Sequence, residues 1–176
     1  PSGGGGLAGI LGVPNGTRIS VMGSTTFQPN LGFGTEELNP ADWTTPITIR
    51  FNPGASTLPS GGAFGLYTTN VAGTNVVDRF FSSVDANATD FGNTLQLNPG
   101  DHAHYQWGFT QPGTYDLNFT WTGTHASDGP ISTSATFRVQ AVPEPSTLAL
   151  VGIAGGAIVA GLVRRRRRRA PVRAAG

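Results

Sequence analysis

Residues 114–122 alternate so regularly that one kind of secondary structure accommodates them: Tyr115, Leu117, Phe119 and Trp121 are separated by Asp116, Asn118, Thr120 and Thr122. Successive side chains of a β-strand point to opposite faces, so this pattern sends the large apolar set to a core and the polar set away from it. The run before it repeats the pattern, with Ala103, Tyr105, Trp107 and Phe109 alternating with His102, His104 and Gln106. Between them Gln111-Pro112-Gly113 supplies a turn in which proline fixes φ and glycine accepts a positive one. The two runs are predicted to pair as a central hairpin over one core, with Tyr105, Trp107, Phe109, Tyr115 and Phe119 organising the fold.

Six further short β-rich runs lie between turn signals: Arg18 to Met22, Ile47 to Phe51, Ala63 to Thr68, Arg79 to Ser83, Thr94 to Leu97 and Thr133 to Val139. No stretch before Pro143 has a helical period. Eight runs at this spacing predict an all-β domain, an antiparallel β-sandwich of Ig-like or jelly-roll type. Cysteine is absent, which removes both a disulfide framework and a Cys-based zinc site, so stability has to come from the core. Residues 1–16, which begin with Pro1-Ser2 and four glycines, read as a flexible lead-in, and 17–140 as the folded domain. The chain starts without methionine or a secretory signal peptide, and this predicts a longer precursor.

The last third is organised differently. Val142-Pro143-Glu144-Pro145 lies in a linker, 141–147, and precedes an uncharged apolar run from Leu148 to Val163 and six arginines, Arg164 to Arg169. As a helix the run spans about 24 Å, slightly short of the ~30 Å hydrocarbon core, a gap that bilayer thinning or snorkelling arginines closes. Residues 148–163 are therefore predicted to be a single transmembrane helix, with 164–176 as its Arg-rich tail. Arginines cluster on one side only, which places the tail in the cytoplasm and everything before Pro143 outside it. Gly152, Gly156 and Ala160 recur every fourth residue, a spacing suited to packing against another helix.

Charge divides at the same place. Four arginines stand against nine acids before Pro143, a net charge of −5, and seven arginines against Glu144 after it, a net charge of +6. The basic character belongs to the tail, so it is no footprint for nucleic acid.

The order Pro-Glu-Pro, apolar helix, arginine cluster resembles the PEP-CTERM sorting signal of bacterial surface proteins. The resemblance implies a membrane-embedded exosortase as partner, recognition through Pro143, Glu144 and Pro145 with Arg164, Arg165 and Arg166, and cleavage near the tripeptide. It also implies export of the preceding domain to the cell surface or an extracellular matrix. The alternative is an ordinary single-pass anchor that stays attached.

A second resemblance lies upstream. The stretch from Gly100-Asp101-His102-Ala103-His104 through Trp107-Gly108-Phe109-Thr110 to Pro112-Gly113-Thr114-Tyr115 joins Leu31-Gly32-Phe33-Gly34-Thr35-Glu36-Glu37-Leu38 and Asp128-Gly129. Together these resemble the choice-of-anchor M domain over roughly residues 17–140. That family implies a β-rich surface module, with further N-terminal strands that this chain does not show, and no defined reaction.

Three chemistries compete for the exported domain. His102 and His104, two apart on a strand, share a face at a Cα separation of about 6.6 Å, and their imidazoles suit zinc or copper, with Asp101, His125 or Asp128 to complete the set. The competing reading has both histidines bonded to loop backbone. Asp85, Asn87, Asp90 and Asn93 are oxygen donors for calcium, without the full loop pattern. Trp43, Trp121 or Tyr67 offer a ring on which a sugar of an extracellular polysaccharide stacks. An enzyme is not expected: Glu36 and Glu37 are adjacent and point to opposite sides of a strand, and neither a Ser-His-Asp spacing nor a phosphate loop is present. Three Asn-x-Thr triplets, at Asn15, Asn87 and Asn118, are read as chance products of a threonine-rich chain. The exported domain is thus expected to be a non-enzymatic surface or matrix module, with a metal-binding or carbohydrate-binding role as alternatives.

Overall fold

The computed structural model describes residues 7–14, 17, 19–22, 31–69, 76–84 and 92–142. Among these residues lie ten strands: β1 (Ser20–Met22), β2 (Gly32–Gly34), β3 (Ile47–Phe51), β4 (Phe64–Thr69), β5 (Val76–Ser82), β6 (Thr94–Leu97), β7 (His102–His104), β8 (Gln106–Phe109), β9 (Gly113–His125) and β10 (Gly129–Ala141). They form two four-stranded sheets, ordered β1-β8-β4-β5 and β10-β9-β3-β6, and a two-stranded β2-β7 sheet. All recorded pairings are antiparallel. The two larger sheets face each other across an aromatic core, as the run pattern predicts. Phe51 meets Phe64 at 5.2 Å, Phe81 meets Phe119 at 5.6 Å and Phe109 meets Tyr115 at 4.8 Å between ring centroids.

The predicted central hairpin does not form. β8 pairs with β1 and β4 in one sheet, while β9 pairs with β10 and β3 in the other. The chain crosses between layers at Thr110 to Pro112. The physical reason lies in the apolar faces themselves: side by side in one sheet, both would still need a covering layer, whereas in opposed sheets each covers the other. Polar groups hold the crossover on both sides. Thr110 N–H donates to Ala63 O, and Ala63 N–H to Thr110 Oγ1. The buried Tyr115 hydroxyl donates to Gln111 O at 2.9 Å and accepts from Gln111 N–H at 3.2 Å. The long hairpin in the molecule is β9-β10, with 13 paired rungs closing at Ala141 and Gly113.

Two further readings change. The run from His102 to Phe109 is divided at Tyr105, whose N–H donates to Leu31 O, so β7 pairs with β2 and β8 with the main sheet. Side-chain parity survives the break, and Tyr105, Trp107 and Phe109 are all buried. The predicted lead-in also contains structure: Leu7–Ile10 is a helical turn, and Ile10 and Leu11 are fully buried. Gly65 makes this possible, since a Cβ there would lie 2.8 Å from Ile10 Cγ2 and 3.1 Å from Leu11 Cδ2. The Ser82 hydroxyl secures the turn by donating to Ile10 O at 2.6 Å. The apolar run 148–163 and the arginine block lie outside the described residues. Among the described ones, no helix is long and apolar enough to cross a membrane.

Trp107 lies between Phe33 and Phe64, at 5.6 and 5.5 Å, and its indole N–H is buried without a hydrogen-bond partner among the described residues. Trp107→Ala is expected to lower stability by about 3–5 kcal/mol. Trp107→Phe, which keeps a ring and removes an unsatisfied donor, should lose only about 1–2 kcal/mol. Urea unfolding of the two variants measures the difference.

Candidate functional site

The histidine pair lies on β7 with its rings exposed, 5.2 Å apart between centroids and nearly perpendicular. β7 is held opposite β2, with His102 facing Gly34 and His104 facing Gly32. Glu36 folds back over Gly34 and places Oε1 2.9 Å from His102 Nδ1. A carboxylate in that position selects the tautomer protonated on Nδ1 and leaves Nε2 with its lone pair available.

The other proposed ligands are not brought in. Asp101 turns its carboxylate to Asn98 Nδ2 at 3.0 Å, and its backbone carbonyl accepts from Thr35. His125 lies against Trp43 and pairs with Asp128 at 3.2 Å. Among the described residues no group of three or more His, Asp or Glu side chains is arranged to hold a metal. Of the calcium donors, Asp85, Asn87 and Asp90 lie outside the described residues. Asn93 is buried in the left-handed region, and its Oδ1 accepts from Ser82 N–H, so that oxygen serves the backbone. Of the triplet asparagines, Asn15 and Asn87 also lie outside. Asn118 accepts from Asn52 Nδ2 and donates to Thr136 Oγ1.

The aromatic candidates separate. Tyr67 is buried, and burial pushes its hydroxyl up to about 12, so it offers no face to a ligand. Trp43 and Trp121, 78 positions apart in the chain, come together as half-buried walls of one cleft of about 320 Å³. Leu38, Ile47, Gly123 and Ile131 complete its apolar surface, and Thr35, Glu36, Glu37, Thr122 and Thr133 supply polar atoms.

The two adjacent glutamates therefore do not diverge across a strand, as their spacing predicts. They follow β2 in a turn, and both line this cleft. Thr35 fixes that turn: its N–H donates to Asp101 O, its hydroxyl to Asn98 O, and its carbonyl accepts from Gly100 N–H and Leu38 N–H. The Asn98–Asp101 turn thereby positions an acidic rim more than 60 residues away. Leu38, Gly123 and Ile131 carried no signal in the sequence, because only the β9-β10 register and the 35–38 turn bring them to one place.

Gly123 sets where Trp43 can lie. A Cβ at this position would stand 2.7 Å from Ile47 Cδ1 and 2.9 Å from Trp43 Cζ3. Gly123→Ala is expected to displace the indole, with a loss of about 1–3 kcal/mol and a red-shifted tryptophan emission. An unchanged spectrum and melting midpoint would contradict this packing.

The sorting residues Pro143, Glu144, Pro145 and Arg164 to Arg166 lie outside the described residues. They fall within residues 141–168, which match the PEP-CTERM protein-sorting motif. No curated protein and no solved structure matches the chain. The chain therefore carries, at residues 141–168, a PEP-CTERM sorting signal of the kind that exosortases recognise, which marks it as an exported protein of the cell envelope or surface.

Proposed function

We propose that the β-sandwich is a non-enzymatic surface or matrix module, delivered through its PEP-CTERM signal and released from a transient membrane helix by cleavage near Glu144. The sorting motif at 141–168 is the observation that carries this reading. The apolar run 148–163 acts as the anchor during processing, and the arginines hold the tail on the cytoplasmic side. The resemblance to the choice-of-anchor M domain agrees with such a role, since that family combines a β-rich surface module with differing C-terminal anchors. The role is structural or adhesive, in contact with extracellular polysaccharide.

The mature surface form is expected to end near Glu144 and to lack the arginine block, and Glu144→Ala should accumulate uncleaved chain in the membrane. C-terminal peptide mapping of the released material tests this. Recovery of peptides containing Arg164 from that material would overturn it.

A second reading has its own support in the contact between Glu36 and His102. With Nδ1 engaged by the carboxylate at 2.9 Å, His102 Nε2 and the neighbouring His104 ring would hold zinc or copper at the surface, with solvent as the remaining ligands. Purified protein should then bind about one equivalent of metal and lose it in a His102→Ala, His104→Ala double variant. A metal-free wild type whose melting is unchanged by chelator would end this reading.

A further inference from the structure

We infer that the cleft between Trp43 and Trp121 is a binding site for an amino sugar with a free ammonium group, such as a glucosamine unit of a matrix polysaccharide. The inference deepens the surface-module reading by naming what that module contacts. Its volume of about 320 Å³ lies at the small end of the ~300–1,000 Å³ typical of small-ligand sites.

Two features of the lining select the ligand. Two indoles on one concave surface suit the C–H face of a pyranose, which stacks on an aromatic ring while its hydroxyl groups turn to polar atoms at the edge. Thr133, opposite Trp121 in the β9-β10 register, lines that edge with an exposed side chain. The second feature is charge. Glu36 and Glu37 are both exposed on the cleft, and among the described residues its lining contains no lysine, arginine or histidine. An ammonium group gains from both carboxylates and from the negative faces of the indoles, whereas a neutral hexose gains from stacking and hydrogen bonds alone.

The two glutamates are not equivalent. Glu36 is held at the rim by His102 Nδ1, which keeps one of its oxygens occupied. Glu37 has no hydrogen bond or ion pair among the described residues, so its carboxylate is the one free to take the ammonium. The same freedom makes it a clean position to alter, since no fold contact is lost with its charge.

The test uses the full chain in detergent and mildly acidic buffer, where the amine is protonated. Oligomers of glucosamine, of N-acetylglucosamine and of glucose are titrated in parallel, followed by tryptophan emission and calorimetry. The glucosamine oligomer should change the emission and bind most tightly. Glu37→Gln should weaken it roughly tenfold without moving the melting midpoint, and Trp43→Ala should abolish the emission change. Equal binding of the acetylated or neutral oligomer, no binding of any oligomer, or unchanged glucosamine affinity in Glu37→Gln would overturn the inference. Because binding is read on purified protein, its failure is separate from any failure of export or cleavage.

Discussion

The ring of Phe119 is where the layers of this domain meet. It projects from the inner face of β9 and touches Phe33 on β2, Phe51 on β3, Phe81 on β5 and Trp107 on β8, all with centroids within 6.2 Å. Both large sheets and the small β2-β7 sheet thus share one side chain. With no cysteine available, such aromatic contact has to hold the layers together. Each offset or edge-to-face pair adds about 0.5–1.5 kcal/mol beyond simple burial. The contacts also fix the relative placement of the sheets, because tightly packed interiors tolerate little sliding.

The cleft arises where that core runs out. β9 and β10 have 13 residues each, whereas the opposed strands β8 and β4 have four and six. Along β9 the inner face passes from the buried Tyr115, Leu117 and Phe119 to the half-buried Trp121 and then to Gly123. Among the described residues no equivalent length of strand lies above it beyond Phe119. The 35–38 turn and Trp43 approach instead and leave a concave gap between them. Concave apolar surface with a few polar atoms at its rim is the ordinary form of a small-ligand site. Here it follows from unequal strand lengths, and it needs no strained backbone.

How much of this was legible in the sequence depended on whether the signal was local. β-rich composition between turn signals located β3 and β6 to the residue and β4 and β10 to within a few, and period-two alternation did the same for β9, because these signals lie within each run. The partner of a strand is not written in its alternation. The Pro-Gly between residues 109 and 114 allows a hairpin or a crossing between layers, and only the core shared by Trp107 and Phe119 decides. β2 escaped notice because Gly32-Phe33-Gly34 has a single large residue, and Phe33 matters only through contacts with rings from distant strands. The site was half visible. His102, His104, Trp43 and Trp121 stood out as residue types, but their grouping did not. The histidines went to a rim with Glu36 and the tryptophans to a common cleft, through pairings between positions 60 to 90 apart.

The described domain reaches the first residues of the sorting motif. The last rung of the β9-β10 hairpin joins the buried Ala141 to Gly113, and Val142 is already exposed. The proposed cut near Glu144 lies beyond that rung. Under the proposed cleavage it would also separate the arginine block from a domain, residues 1–142, of net charge −5. A cleft rimmed by Glu36 and Glu37 on such a module, free of the arginine block, keeps its attraction for cationic groups in solution, screened only by salt.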